Sequence, residues 1–126
     1  MRCLIVDDSA DFVDAARGLL ECQGIAVVGA ASTGAEALRR FEELRPDATL
    51  VDVDLGGESG FDVAEQLHAA GSPAPVILIS THAVDDFADM IAANPAVGFI
   101  SKSGLTCRAI LDLVGGSAGL QEGDRR

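Results

Sequence analysis

Basic residues are few in this chain, and lysine is almost absent. Nine Lys and Arg stand against 20 Asp and Glu among 126 residues, giving a formal net charge of −11, and Lys102 is the single lysine. A surface of that sign repels phosphate backbones and anionic lipid, which argues against nucleic-acid or membrane binding by this domain. Long apolar runs are missing as well. None exceeds about seven residues, far short of the ~20 that span a bilayer. The three cysteines, Cys3, Cys22 and Cys107, are odd in number and lack a CxxC spacing, so they read as reduced thiols in a cytoplasmic protein. The first strand-like run begins at Cys3, which leaves no signal peptide ahead of it and makes Cys3 a core residue. What is present suits one globular domain: 48% hydrophobic and 23% charged residues exclude a disordered segment. A domain of this length buries roughly two thirds of its unfolded surface, so folding requires no disulfide or structural metal.

Five short runs rich in Val and Ile recur along the chain, at Cys3–Val6, Ile25–Val28, Ala48–Val51, Val76–Ile79 and Val97–Ile100. They are continuous rather than alternating, as expected for strands buried on both faces of a parallel sheet. Segments of helical spacing lie between and after them. Phe12, Ala16, Leu19 and Leu20 form one stripe, closed by Gly24. Leu38, Phe41 and Leu44 form the next, opened by a capping-box pattern over Thr33-Gly34-Ala35-Glu36 and stopped by Pro46. Phe61, Ala64, Leu67 and His68 follow, ended by Gly71 and the Pro73/Pro75 turn, and then come Val84, Phe87 and Ile91, ended by Asn94-Pro95. Leu105, Ala109, Ile110, Leu113 and Val114 form the last stripe, ended by Gly115-Gly116. Strict alternation of five strands with five helices predicts an α/β fold, an open parallel sheet with helices on both faces. Residues 1–116 form the expected domain, and residues 117–126 the expected flexible tail.

Ligands of open α/β sheets bind beyond the carboxyl ends of the strands, where strand order reverses. The residues leaving each run therefore matter. The first ends in Asp7-Asp8, the third in Asp52-Val53-Asp54, the fourth in Ser80-Thr81-His82 and the fifth in Ser101-Lys102. Singly, these have plain readings: Asp8 or Ser9 can cap the first helix, and Ser80 can cap a turn. Together they form a cluster of carboxylates that repel by roughly 4 kcal/mol per pair at 4 Å and an effective dielectric of 20, so the cluster needs a cation. A few hard oxygen ligands open to solvent suit Mg²⁺.

This ordered set resembles the receiver domain of two-component response regulators, over residues 3 to 114, of the type often followed by a helix-turn-helix output domain. The resemblance rests on Asp7-Asp8, on Asp52 within Val51-Asp52-Val53-Asp54-Leu55-Gly56-Gly57-Glu58-Ser59-Gly60, on Ser80 and on Lys102. It implies a doubly wound (βα)5 sheet of flavodoxin-like order 2-1-3-4-5. It also implies that Asp52 accepts a phosphoryl group from the phosphohistidine of a sensor histidine kinase. Asp7, Asp8, Asp52 and the backbone carbonyl of Asp54 would hold Mg²⁺. Those roles suit the chemistry, which needs an in-line oxygen nucleophile and positive charge on the equatorial oxygens. Lys102 and the metal would supply the charge, and the Ser80 hydroxyl a hydrogen bond. A switch is implied too: Ser80 moves towards the phosphoryl group and Phe99, three residues before the lysine, turns inward. The alternative for Phe99 is plain core or partly exposed filler. Asp54 and His82 flank the phosphoryl group in the family. They are candidates for tuning its lifetime, by guiding the attacking water or pairing with each other; the plain alternative is that both point to solvent.

The chain departs from the family pattern at two places. Gly56 stands where proline is frequent, which loosens the loop after Asp52. Ser103 follows Lys102 where proline is usual, and a cis peptide is still expected there, although a non-proline cis bond costs about 3 kcal/mol. Three rival functions fit the residues less well. Asp52-Val53-Asp54-Leu55 matches the DxD start of a phosphatase family, but those enzymes carry it on their first strand. A receiver-like interaction module that is never phosphorylated is the second, disfavoured by the complete acidic set with Ser80 and Lys102. Nucleotide binding fails because Asp7-Asp8-Ser9-Ala10 has no glycines and the wrong charge for a pyrophosphate. About a dozen residues follow Val114, too few for a helix-turn-helix, so the chain reads either as a stand-alone receiver acting through protein contacts, the expected case, or as a receiver cut short before such a domain. The face of the fourth helix, fifth strand and fifth helix, with Phe87, Ile91 and Phe99, is the expected surface for a partner or a homodimer.

Overall fold

The computed structural model describes residues 1–71, 74–82 and 87–119. Its strands are β1 (Arg2–Val6), β2 (Ala26–Ala31), β3 (Ala48–Asp52), β4 (Val76–Ser80) and β5 (Gly98–Ser101). The helices α1 (Ala10–Cys22), α2 (Gly34–Leu44), α3 (Gly60–Ala69), α4 (Ala88–Ala92) and α5 (Cys107–Gly119) alternate with them, and a 3₁₀ turn spans Lys102–Gly104. All four strand pairings are parallel, and the order is β2-β1-β3-β4-β5. This is the predicted α/β class and the order that the resemblance implied.

Period-two geometry sorts the apolar runs onto two faces. Cys3 and Ile5 of β1, Leu50 of β3 and Ile77 and Ile79 of β4 join Leu20 of α1 and Ile110 of α5 in one core. Their neighbours Leu4, Val6, Val51 and Leu78 point the other way, onto Phe41 of α2 and Phe61 and Leu67 of α3. Both faces are covered, so β3 and β4 are buried at every position. That is why these strands read as unbroken Val, Ile and Leu. The chain crosses outward from β1 to β2, then doubles back to β3 on the other side of β1. The carboxyl ends of β1 and β3 therefore flank the reversal point, where side loops diverge and leave a crevice.

Several local expectations are corrected. Strand β2 starts one residue late and runs on to Ala31. In α1 the inward stripe is Val13, Ala16 and Leu20, while Leu19 is exposed. His68 is exposed rather than part of the α3 stripe. Helix α4 has only five residues and follows Phe87, and Val84 and Pro73 lie outside the described residues. Helix α5 passes through Gly115-Gly116 to Gly119, so paired glycines weaken that helix without ending it here. The rest of the expected tail is outside the described residues. The expected cis bond at Lys102–Ser103 is absent, and no cis peptide occurs among the described residues. Without a proline the trans bond is favoured, and Leu105 N closes the 3₁₀ turn by donating to Lys102 O at 3.4 Å. Cys3 is core as expected: burial, with a smaller contribution from Cys107, pushes its thiol up to about 12.

Candidate functional site

Each strand end delivers its side chain by a local device. Asp7 follows β1, and its Oδ1 accepts the N–H of Ser9 at 2.8 Å. Ser9, not Asp8, caps α1, its Oγ accepting from Phe12 N at 3.2 Å. Asp8 is thereby left exposed and free to face the crevice. Asp52 is the last residue of β3, and its Oδ1 accepts the N–H of Asp54 at 3.2 Å. The loop beyond it is a tight return. Asp54 and Ser59 form an antiparallel bridge, Leu55 N donates to Glu58 O, and Gly56 takes φ 81°. Glycine at 56 thus supplies a left-handed turn that proline could not adopt. Gly60 starts α3 against this loop, where a Cβ would collide with the Asp52 carbonyl oxygen. The close approach of helix to strand end requires glycine at 60.

These devices bring together the residues picked from the sequence. Asp7, Asp8 and Asp52 each offer an oxygen, all within 4.8 Å of one another. Lys102, arriving from the end of β5, places Nζ 2.7 Å from Asp7 Oδ2 and 3.2 Å from Asp52 Oδ2. The Asp7 contact is the shorter ion pair, and the Asp52 contact is a hydrogen bond. Burial, followed at a distance by the Asp7 charge, holds the Asp52 carboxyl above its ordinary value of 3.8, against the lowering effects of Asp54 N–H and Lys102. The two carboxylates push the Lys102 ammonium above 10.5 despite its partial burial. Three carboxylates and one ammonium leave the cluster two charges negative, and the donor set is hard oxygen. Those residues fit a divalent cation such as Mg²⁺.

A cleft of about 230 Å³ opens beside the cluster, lined by Asp8, Asp52, Asp54, Ser80, His82 and Lys102 among others. Ser80 is buried, and its Oγ accepts the His82 N–H at 3.0 Å. An Asp54–His82 pair, one of the alternatives, is not formed. Asp54 is exposed and turns its Oδ1 to the Gly56 N–H at 3.1 Å, while His82 contacts Ser80 and Phe87. Phe99 is half-buried in a row of rings, 6.1 Å from Phe87, which is 5.7 Å from Phe61. It is neither free nor fully core.

Two participants escaped the sequence reading. The Lys102 ammonium sits 4.3 Å above the Phe12 ring, a cation–π contact holding the flexible stem from the helix side. In the sequence Phe12 reads only as part of the apolar stripe. Glu58 reaches across to α2, where its Oε1 accepts the Gly34 N–H at 2.8 Å. That contact ties the loop after Asp52 to the positive end of another helix. No local signal in the sequence marks a contact between residues so far apart.

A doubly wound parallel domain of flavodoxin-like order, with acids, a lysine and a hydroxyl gathered at its switch-point edge, is the class defined by fold and site. Comparison with known proteins narrows it. A family model described as the response regulator receiver domain matches residues 3–112, and the chain belongs to this family, the receiver domains of two-component systems. It is 31% identical over 102 residues to the DNA-binding transcriptional activator EvgA of Escherichia coli K12, covering 81% of this chain and 50% of EvgA. It is 32% identical to the response regulator GacA of Pseudomonas viridiflava, covering 81% of this chain and 48% of GacA. The chain thus spans about half the length of these relatives. Among solved structures, the signal receiver domain of NarL from Mycobacterium tuberculosis superposes with TM-score 0.82 at 30% identity, covering 91% of this chain and 96% of that one. A LuxR-family two-component response regulator from Aurantimonas sp. SI85-9A1 gives 0.83 at 28%, covering 91% and 85%. These relatives are named as regulators rather than enzymes, and no described helix is long and apolar enough to cross a membrane.

Proposed function

We propose that this receiver domain is a phosphorylation switch, with Asp52 accepting a phosphoryl group from a sensor histidine kinase. The observation that carries the reading is Lys102 Nζ bridging Asp7 and Asp52 while Asp8 completes the acid cluster. A carboxylate used as nucleophile must be desolvated yet reachable, and Asp52 lies at the end of a buried strand on the wall of an open cleft. Asp7, Asp8, Asp52 and the Asp54 backbone carbonyl would hold Mg²⁺, which when bound supplies positive charge to the phosphoryl oxygens. Lys102, already paired with two carboxylates, can follow the transferred group on its flexible stem. Ser80 supplies a hydroxyl for the remaining oxygen, and Phe99 transmits its movement to the face of α4, β5 and α5.

That face carries the output as a protein contact, with a partner or with a second copy of the chain. The acidic surface makes direct DNA contact by this domain unfavourable. Asp54 and His82 set the lifetime of the aspartyl phosphate from the cleft wall. The test is incubation with acetyl phosphate and Mg²⁺, read by intact mass. A single phosphoryl addition lost on Asp52→Asn and on magnesium removal is expected. No addition, or an addition surviving Asp52→Asn, would overturn the reading.

A further inference from the structure

Ser80 is buried at the end of β4, yet its hydroxyl is engaged with His82 rather than with Asp52. The His82 N–H donates to Ser80 Oγ at 3.0 Å, and the imidazole Nδ1 lies 3.4 Å from the same oxygen. An oxygen that accepts the backbone N–H still has its own proton to place, and Nδ1 is a side-chain acceptor in reach. The ring is in turn fixed by Phe87, which it meets edge-on at 85° with centroids 5.9 Å apart. Phe87 packs on Phe99 and Phe61. The imidazole is thus a joint between the Ser80 hydroxyl and the aromatic row leading to α4 and β5.

We propose that His82 is a positioning residue that latches Ser80 in the resting protein. The neutral imidazole accepts the Ser80 proton at Nδ1 and so keeps the hydroxyl from donating into the cleft. A hydroxyl has one proton, so it cannot serve Nδ1 and a phosphoryl oxygen together. A charged acceptor on Asp52 forms the stronger hydrogen bond and draws Ser80 off the latch. Losing that contact also releases the ring that Phe87 holds, so the two events at Ser80 and Phe99 are joined through one side chain. The inference rests on Asp52 being the phosphoacceptor.

Two measurements test it. Without any phosphoryl donor, long-range ¹H–¹⁵N spectra of the imidazoles are compared for the wild type and Ser80→Ala at about pH 8, where an ordinary imidazole is neutral. The second histidine, His68, is assigned with His68→Gln. A shift of the His82 Nδ1 resonance in Ser80→Ala is expected, and an unmoved resonance overturns the latch. Phosphorylation by acetyl phosphate with Mg²⁺ is then timed in His82→Phe, which keeps a ring for Phe87 but has no Nδ1. The rate should rise about twofold to tenfold, the span of one weak hydrogen bond, and the effect should vanish in the Ser80→Ala background. No acceleration, or the same acceleration in both backgrounds, overturns the proposal. A wild type that takes no phosphoryl group refutes the role of Asp52 instead, and the spectra still decide the latch.

Discussion

Replacing Asp52 by Asn should stabilise the metal-free protein at neutral pH. Asp7 and Asp8 each place an oxygen within 4.8 Å of an Asp52 oxygen, which at an effective dielectric of 20 is a repulsion of about 3.5 kcal/mol per pair. Lys102, at 3.2 Å, returns about 5 kcal/mol of attraction on the same scale. Asp8 is exposed and solvent cuts its share to about 1 kcal/mol, so the Coulombic terms nearly cancel. The burial of the Asp52 charge is then the cost that remains. Asn keeps the shape and removes the charge, and a gain of about 1–2 kcal/mol follows, or roughly 5 °C in midpoint for a domain of this size. The pH dependence has a definite sign. The folded carboxyl titrates above its ordinary 3.8, so the folded state holds the extra proton. Stability from this group is then greatest below 3.8 and declines as pH rises through the raised folded value. Urea denaturation from pH 4 upward, with a chelator present, should show this decline in the wild type and a flatter profile in Asp52→Asn. Added Mg²⁺ should stabilise the wild type more than the variant. An Asn variant that is less stable without metal would refute the reasoning, because Lys102 would then outweigh the crowding.

The remaining predictions concern the scaffold. Gly60→Ala should cost about 3 kcal/mol, by overpacking against the Asp52 carbonyl, and should weaken Mg²⁺ binding in titration calorimetry; a wild-type melting curve would count against the close approach. Glu58→Ala should lose about 1 kcal/mol through the Gly34 N–H left without its carboxylate, with Glu58→Gln recovering much of it in the same denaturation assay. Thiol titration of the native protein should find one fast group, the exposed Cys22, and two slow ones, because Cys3 and Cys107 are buried; three groups of equal rate would contradict the packing of β1 against α5.

How much was legible beforehand follows from the range of each interaction. Strand number, helix number and the α/β class rest on local periodicity and on Val- and Ile-rich runs, and so are readable along the chain. The chain also shows which residues leave the strands, and hence that Asp7, Asp8, Asp52, Ser80 and Lys102 share one edge, since parallel strands all end on the same side. Caps were legible in part. Thr33 does cap α2, but Glu36 turns its carboxylate to Ser32 N rather than to Thr33 N, a shift of one residue that only the chain entry angle decides. Tertiary structure alone decided which acid meets the lysine, that His82 joins Ser80 and Phe87 rather than Asp54, and that Phe12 and Glu58 act at long range. It also decided that Lys102–Ser103 is trans and that α5 continues through its glycine pair. Hydrophobic period is a property of a few adjacent residues, whereas a side chain's polar partner is set by which loops folding brings within about 3 Å.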